Sequence, residues 1–134
     1  MHTFYGIWVD HAHAYIIKSN KLAEMEIDEM KSDVESHHHG GVQGDEHLSL
    51  SDQRSHDERR NNQMKAFAKE LIKRVQNGDE FVIFGPGTAK HELKNEVEKH
   101  KALLPKFKGM ETTDKLTHPQ LKEFMKNYFN LPQN

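Results

Sequence analysis

Apolar residues recur along the chain first in short runs and then at helical spacing. Residues 4–9 form an aromatic and β-branched run, and residues 14–17 form a second run after a short polar break. From Leu22 to Met30, apolar residues alternate with acidic ones. Short runs and alternation of period two are typical of β-strands, so this part of the chain predicts three consecutive antiparallel strands.

A long helix is predicted from about His56 to the helix breaker Asn77-Gly78. Its apolar residues fall on one helical face: Met64, Phe67, Ala68, Leu71, Ile72 and Val75. The turns before Met64 carry no apolar stripe, and a surface helix buries only its apolar face. We therefore expect the start of this helix to project beyond the sheet.

The remainder of the sequence changes again between strand and helix. Residues 81–84 are all apolar, which predicts a central strand covered on both faces, and Thr88 is placed to cap the helix that follows. Residues 107–113 predict an edge strand. Thr117 and Gln120 form a capping-box pattern at the start of a last helix.

The predicted order is β-β-β-α-β-α-β-α in one α/β domain of residues 1–134, with a mixed five-stranded sheet and a flexible Gly- and His-rich loop at about residues 31–55. Ribonuclease-H-like folds use this order, so a metal-dependent nuclease is the first function to consider. Two metal ions need several converging carboxylates. Asp10 and Glu58 are candidates, but the fourth strand ends in glycine, and Asp10 is expected to bond the backbone of its own turn.

Composition limits the functions further. The 134 residues include no cysteine, which excludes disulfides, thiolate metal sites and iron–sulfur clusters. The sequence shows neither a basic leader nor a long apolar run, so we expect a cytoplasmic protein with no membrane partner. The net charge is −2, and residues 1–52 hold three Lys and no Arg against ten Asp or Glu, so no DNA partner is expected.

The turn Gly85-Pro86-Gly87 lies between the fourth strand and a helix N-terminus, where free backbone N–H groups suit an anion such as phosphate. The candidate contacts to RNA or to a protein partner are Arg54, Arg59, Arg60, Lys65, Gly85, Gly87 and Lys90. Two simpler explanations stay open. The first is that the glycines only permit the turn, and the second is that the cations only form a solvated helix surface.

The histidines suggest an independent hypothesis. Imidazole is a common ligand for zinc, nickel or copper, and the candidate metal ligands are His37, His38, His39 and His47. Their spacing matches no established metal motif, so a solvated polar loop is the alternative. The sequence gives no reason to expect another cofactor.

Two stretches carry a family resemblance, residues 84–93 (FGPGTAKHEL) and residues 111–117 (ETTDKLT). With the three-strand opening, the Gly40-Gly41 pair and the long helix, they resemble the standalone bacterial release-factor-like proteins, also described as translational-machinery-component-like. These proteins are similar to the catalytic middle domain of eukaryotic and archaeal peptide-chain release factors and of Pelota. The resemblance implies a release-factor middle-domain fold and contact with the ribosome or tRNA.

In release factors, a glycine pair is followed directly by a glutamine that helps to position water at the peptidyl-tRNA ester. The resemblance therefore implies Gly40, Gly41 and Gln43 as the catalytic residues of a peptidyl-tRNA ester hydrolase. Here Val42 separates the pair from Gln43, and small errors of position lower reaction rates by about a hundredfold. The sequence thus favours loss of catalysis.

The leading hypothesis is a noncatalytic, translation-associated protein. It would contact the ribosome, tRNA or a protein partner through the Gly/His loop and the start of the long helix. The alternatives are a peptidyl-tRNA ester hydrolase and a histidine-loop metal binder.

Overall fold

A computed structural model of the protein describes residues 2–32 and 50–133, and it describes residues 50–56 by their backbone alone. The elements in chain order are β1 Phe4–Val9, β2 His13–Ser19, β3 Met25–Lys31, α1 Leu50–Val75, β4 Glu80–Gly85, α2 Ala89–Glu98, a 3₁₀ helix Lys101–Lys106, β5 Phe107–Thr112 and α3 His118–Phe129. Apart from the added 3₁₀ helix, this order confirms the one that the apolar spacing predicts.

The five strands form one mixed sheet in the order β3-β2-β1-β4-β5. β1, β2 and β3 pair antiparallel as consecutive hairpins, and β4 and β5 are added parallel to β1. The helical crossovers explain this geometry, because a strand joined through a helix returns in the same direction. The predicted α/β fold with a mixed five-stranded sheet is confirmed.

Helices cover both faces of the sheet. Phe81 and Ile83 of β4 face the core that includes residues of α1 and α2, whereas Val82 and Phe84 face the core that includes residues of α3. All four side chains are at most 1% exposed. Burial of such a side chain contributes about 1.5–3 kcal/mol, which is why the uninterrupted apolar run forms a central strand.

Two boundaries differ from those expected. α1 begins at Leu50, before the predicted start near His56, because a polar helix needs no apolar stripe and periodicity alone does not detect it. Leu22 lies outside β3, in the turn after β2, and is 65% exposed. Both ends of the predicted loop at residues 31–55 therefore lie in regular elements, and residues 33–49 lie outside the described part of the chain.

The helix caps follow the sequence in one case and not in the other. At α3, Gln120 N donates to Thr117 Oγ1 at 3.3 Å and Thr117 N donates to Gln120 Oε1 at 2.9 Å, so the capping box is confirmed. At α2, Thr88 occupies the cap position but makes no side-chain cap hydrogen bond. Its backbone is helical, with φ −106° and ψ −9°, whereas a capping side chain usually needs extended backbone.

Candidate functional site at the carboxyl edge of the sheet

Four of the five strands end at one edge of the sheet. β1 is parallel to β4 and β4 to β5, while β2 is antiparallel to both β1 and β3, so β3 also runs with β1. The residues that follow these four strands define what we call the carboxyl edge: Asp10, Ser32, residues 86–87 and Thr113. Ligand sites of open α/β sheets concentrate at such edges.

Two glycines at the end of β4 have different surroundings. Gly85 has φ 143°, and a Cβ added to it would lie 2.4 Å from the carbonyl oxygen of Val9 on the neighbouring strand. Gly87 has φ 60°, and a Cβ added there would meet no described atom within 4 Å beyond its chain neighbours. Gly85 is buried and Gly87 is exposed. Of the two predicted glycine contacts, only Gly87 therefore lies on the surface.

Lys90 belongs to the same turn rather than to the open surface. It is only 3% exposed, and its ammonium group donates a hydrogen bond to the carbonyl oxygen of Gly87. The side chain therefore closes the turn over the first residues of α2. A direct contact of Lys90 with RNA or a partner, as the sequence predicts, requires this turn to open.

Hydrogen bonds connect the turn to the segment after β5. Thr113 N donates to the Gly85 carbonyl at 3.1 Å. One residue later, the Asp114 carbonyl accepts from Trp8 Nε1 at 3.1 Å, and Trp8 itself is buried. The Thr-Thr-Asp stretch therefore connects the end of β5 with β4 and β1 at the carboxyl edge.

Asp10 bonds the turn between β1 and β2, as the sequence predicts. Its Oδ1 accepts from Ala12 N at 2.8 Å and from His13 N at 2.7 Å, and His13 Nδ1 lies 3.2 Å from the same oxygen. Glu58, the other candidate for nuclease chemistry, is exposed on α1. Among the described residues, no three His, Asp or Glu side chains are placed to hold a metal ion. Asp10 and Glu58 thus do not belong to a cluster of metal ligands among the described residues.

A row of rings connects the β1–β2 hairpin to the start of α3. The ring centroids of Trp8 and His13 are 5.3 Å apart, those of His13 and Tyr15 are 5.1 Å apart, and those of Tyr15 and His118 are 5.4 Å apart. The sequence alone does not indicate this row. Alternation on β2 indicates that His13 and Tyr15 share a face, but no local pattern links them to the distant His118.

α1 is longer than the sheet that it crosses. Its 26 residues extend for about 39 Å, whereas the six residues of β4 extend for about 20 Å. Its first side chain described as buried is Met64. Because α1 returns from the carboxyl edge to the start of β4, residues 50–63 add about 21 Å of helix before the first side chain described as buried, on the side of that edge. We call these residues the helical arm.

The side chains described on the arm are polar. Glu58 and Arg59 are exposed, Arg60 is half-buried, and both arginines have interaction partners. Lys65 is exposed just beyond the arm. Three of the predicted contacts, Arg59, Arg60 and Lys65, therefore lie on one helix, and they lie among carboxylates rather than in a purely basic stripe.

A buried carboxylate lies on α2, close to α1. Glu96 is 4% exposed, and it lies 3.0 Å from His100 Nε2 and 3.6 Å from Lys99 Nζ. Burial by itself raises the pKa of this carboxyl group. The hydrogen bond with His100 and the charges of Lys99 and Lys69 outweigh burial, so its pKa is held below the ordinary value. The ionised form of Glu96 is thus stabilised by His100 and Lys99 after α2 and by the charge of Lys69 on α1.

Several of the predicted site residues lie outside the described part of the chain. They are the catalytic candidates Gly40, Gly41 and Gln43, and the metal-ligand candidates His37, His38, His39 and His47. The backbone of Arg54 lies in the helical arm, but its side chain is likewise not described. Their roles stay predictions.

Comparison with solved structures identifies the fold. An archaeal translation termination factor, aRF1, is similar with a TM-score of 0.55 and 14% identity, over 96% of this chain and 39% of that protein. A structure described only as an archaeal protein is similar with a TM-score of 0.57 and 16% identity, over 96% of this chain and 34% of the other. The chain thus has a release-factor-like fold and spans well under half of either protein.

No protein-family model matches this sequence, and a comparison with curated proteins finds no match. At the identities given above, the structural similarity establishes the fold alone. In the described part of the chain, no helix is long and apolar enough to cross a membrane.

Proposed function

We propose that this protein is a noncatalytic, translation-associated factor that binds the ribosome through its helical arm. The observation that carries this proposal is the arm itself, about 21 Å of helix before the first side chain described as buried, with no apolar stripe in its sequence. A stable helix that is polar on all sides either bridges to another body or is held by side-chain pairs along its own length, and the first case is the one proposed for the arm. The fold shared with an archaeal translation termination factor supports the ribosome as that body.

RNA phosphates are the expected contact of the arm. Arg59, Arg60 and Lys65 lie within about two helical turns, and Gly87 is exposed at the carboxyl edge. Phosphate contacts by Arg and Lys make binding weaken as salt rises, because each neutralised phosphate releases counterions. The neighbouring Asp57 and Glu58 limit this attraction, so we expect moderate affinity with clear salt dependence.

Co-sedimentation of the protein with purified ribosomes at about 50 to 200 mM salt tests the proposal. The double variant Arg59→Gln/Arg60→Gln should bind more weakly, and the salt slope should fall by about one for each phosphate that is no longer neutralised. The matched control is Lys115→Gln/Lys122→Gln, which removes two exposed charges after β5 and on α3.

The control variant should bind like the parent protein. Equal decreases in affinity for both double variants would indicate a general charge effect and would contradict binding through the arm. Binding that does not change with salt would contradict phosphate contact altogether.

A further inference from the structure

The outer edge of β3 is unpaired within the described residues. Ser32 N donates to the Ala12 carbonyl at 2.9 Å, and Asn20 N donates to the Glu24 carbonyl at 3.3 Å. Both bonds lie in the β2–β3 register, in which even-numbered β3 residues exchange bonds with β2. The main chain of the odd-numbered residues therefore faces outward: Met25, Ile27, Glu29 and Lys31.

This edge is acidic. Glu26, Asp28 and Glu29 are all exposed, and the side chain of Asp28 is 65% exposed although it lies 3.1 Å from Arg74 of α1. Glu26 and Asp28 point to the α1 side of the sheet, and Glu29 points to the α3 side, because strand side chains alternate. Many natural edge strands carry lysine, which blocks pairing. Here Lys31, at the end of β3, is the single cation of the strand.

An apolar groove lies beside the edge. It has a volume of about 260 Å³ and is lined by Met30, Lys31, Gln63, Ala66, Phe67 and Glu70. Met30 and Phe67 belong to the core on the α1 face, so the groove continues that core outward. Small-molecule pockets are usually about 300–1,000 Å³, and a smaller groove beside a free strand suits one inserted side chain.

We propose that β3 binds an extended, Lys- and Arg-rich segment of another protein, which adds a sixth strand to the sheet. Main-chain hydrogen bonds to the outward-facing residues supply affinity, and alternate side chains supply specificity. Cations of the partner face Glu26, Asp28 and Glu29, and one apolar side chain enters the groove beside Met30 and Phe67. This surface shares only Gln63 with the arm and includes neither arginine, so the inference does not depend on ribosome binding.

A second copy of this chain is a poorer occupant. Pairing β3 with β3 places Glu26, Asp28 and Glu29 near the same carboxylates of the partner copy, and like charges on paired strands destabilise the pairing. The acidic edge therefore favours a basic partner and disfavours self-association. Sedimentation of the free protein should accordingly show a monomer, and a dimer dissociated by Glu29→Pro would overturn the proposal.

The first test uses a labelled nine-residue peptide of Lys with a single Val, which supplies cations on both faces of the added strand and one apolar side chain for the groove. Binding is followed by fluorescence anisotropy and by amide hydrogen exchange. Addition of the peptide should slow exchange at Ile27 and Glu29, whose amides face outward, and should leave Asp28 almost unchanged. A Glu/Val peptide of the same pattern should bind at least about tenfold more weakly. Equal binding of the two peptides, or slowing at all three amides alike, would overturn the proposal.

The second test removes main-chain hydrogen-bond donors, first from β3 and then from the peptide. Glu29→Pro deletes an outward N–H, which an edge strand tolerates, and should abolish binding, whereas Glu29→Gln should weaken it only a few-fold. Two further Lys/Val peptides carry N-methyl groups on alternate amides, so that only one of them keeps the N–H groups that face β3. The peptide that keeps the N–H groups facing β3 should bind, and the other should not. This comparison uses the parent protein, so it stays valid even if Glu29→Pro proves unstable. Equal affinity of the two methylated peptides would overturn the proposal.

Discussion

Replacing Gly85 by alanine tests why the β4 turn contains glycine. The structure gives a cause beyond the shape of the turn, since an added Cβ would lie 2.4 Å from the backbone oxygen of Val9, and ordinary contact begins near 3.4 Å. The neighbouring backbone must therefore move by about 1 Å. It belongs to β1, the central strand, so the movement disturbs the sheet itself.

The magnitude follows from two contributions. At φ 143° a side chain is strained whatever space it finds, and such strain costs about 1–3 kcal/mol. Overpacking against the fixed backbone of Val9 costs about another 1–3 kcal/mol. We expect Gly85→Ala to lower the free energy of unfolding by about 2–6 kcal/mol, a large fraction of the roughly 5–15 kcal/mol of a typical domain.

Urea unfolding followed by far-ultraviolet circular dichroism measures this decrease in stability. Gly87→Ala is the matched control, because Gly87 has φ 60° but open space, and the left-handed conformation alone costs about 1–2 kcal/mol. The reasoning is refuted if Gly85→Ala stays within about 1 kcal/mol of the parent protein, or if Gly87→Ala is the more damaging change.

Four other outcomes are expected. The lowered pKa of Glu96 should add stability above its ordinary value of 4.5, and this stability should be lost as the pH falls below that value. The urea midpoints of the parent protein and of Glu96→Gln should therefore converge in acid. A difference between the two midpoints that does not depend on pH would contradict this. Thr117→Ala should lower the free energy of unfolding by about 1 kcal/mol and Thr117→Ser by much less, and equal decreases would exclude the capping box as the cause. Ribosomes loaded with peptidyl-tRNA should release no peptide when the protein is added. Release by the parent protein that Gln43→Ala abolishes would show catalysis. Release that appears only when Val42 is deleted would show that this residue silences the site. Calorimetry should show only weak zinc binding by the parent protein. A tight stoichiometric site that disappears when His37, His38 and His39 are replaced by alanine, with the fold intact, would support the metal hypothesis.

Much of the fold is predictable because its signals are local. The run at residues 81–84 is buried on both faces, Thr117 and Gln120 cap α3, and Asp10 bonds its own turn. Each depends on neighbours within a few positions along the chain. The start of α1 is harder to place, because its polar turns carry no apolar period.

The candidate site also has features that the sequence predicts and features that depend on distant residues. The sequence correctly indicates that a Gly-Pro-Gly turn ends β4 and that the long helix begins before Met64. It does not show that Gly85 and Lys90 are buried, because these depend on Val9 of another strand and on the closure of the turn. Burial is set by the elements packed around a residue, and no local pattern reports it.

The order of strands and helices, their apolar faces and the absence of cysteine chemistry can all be read from the amino-acid sequence. Tertiary packing is needed to show which residues from distant parts of the chain meet, such as Trp8 with Asp114 and Tyr15 with His118. Packing also places β3, with its carboxylates, at a free edge of the sheet. This division arises because periodicity records only which face of an element is buried, whereas sheet order and long-range contacts form when all elements pack together.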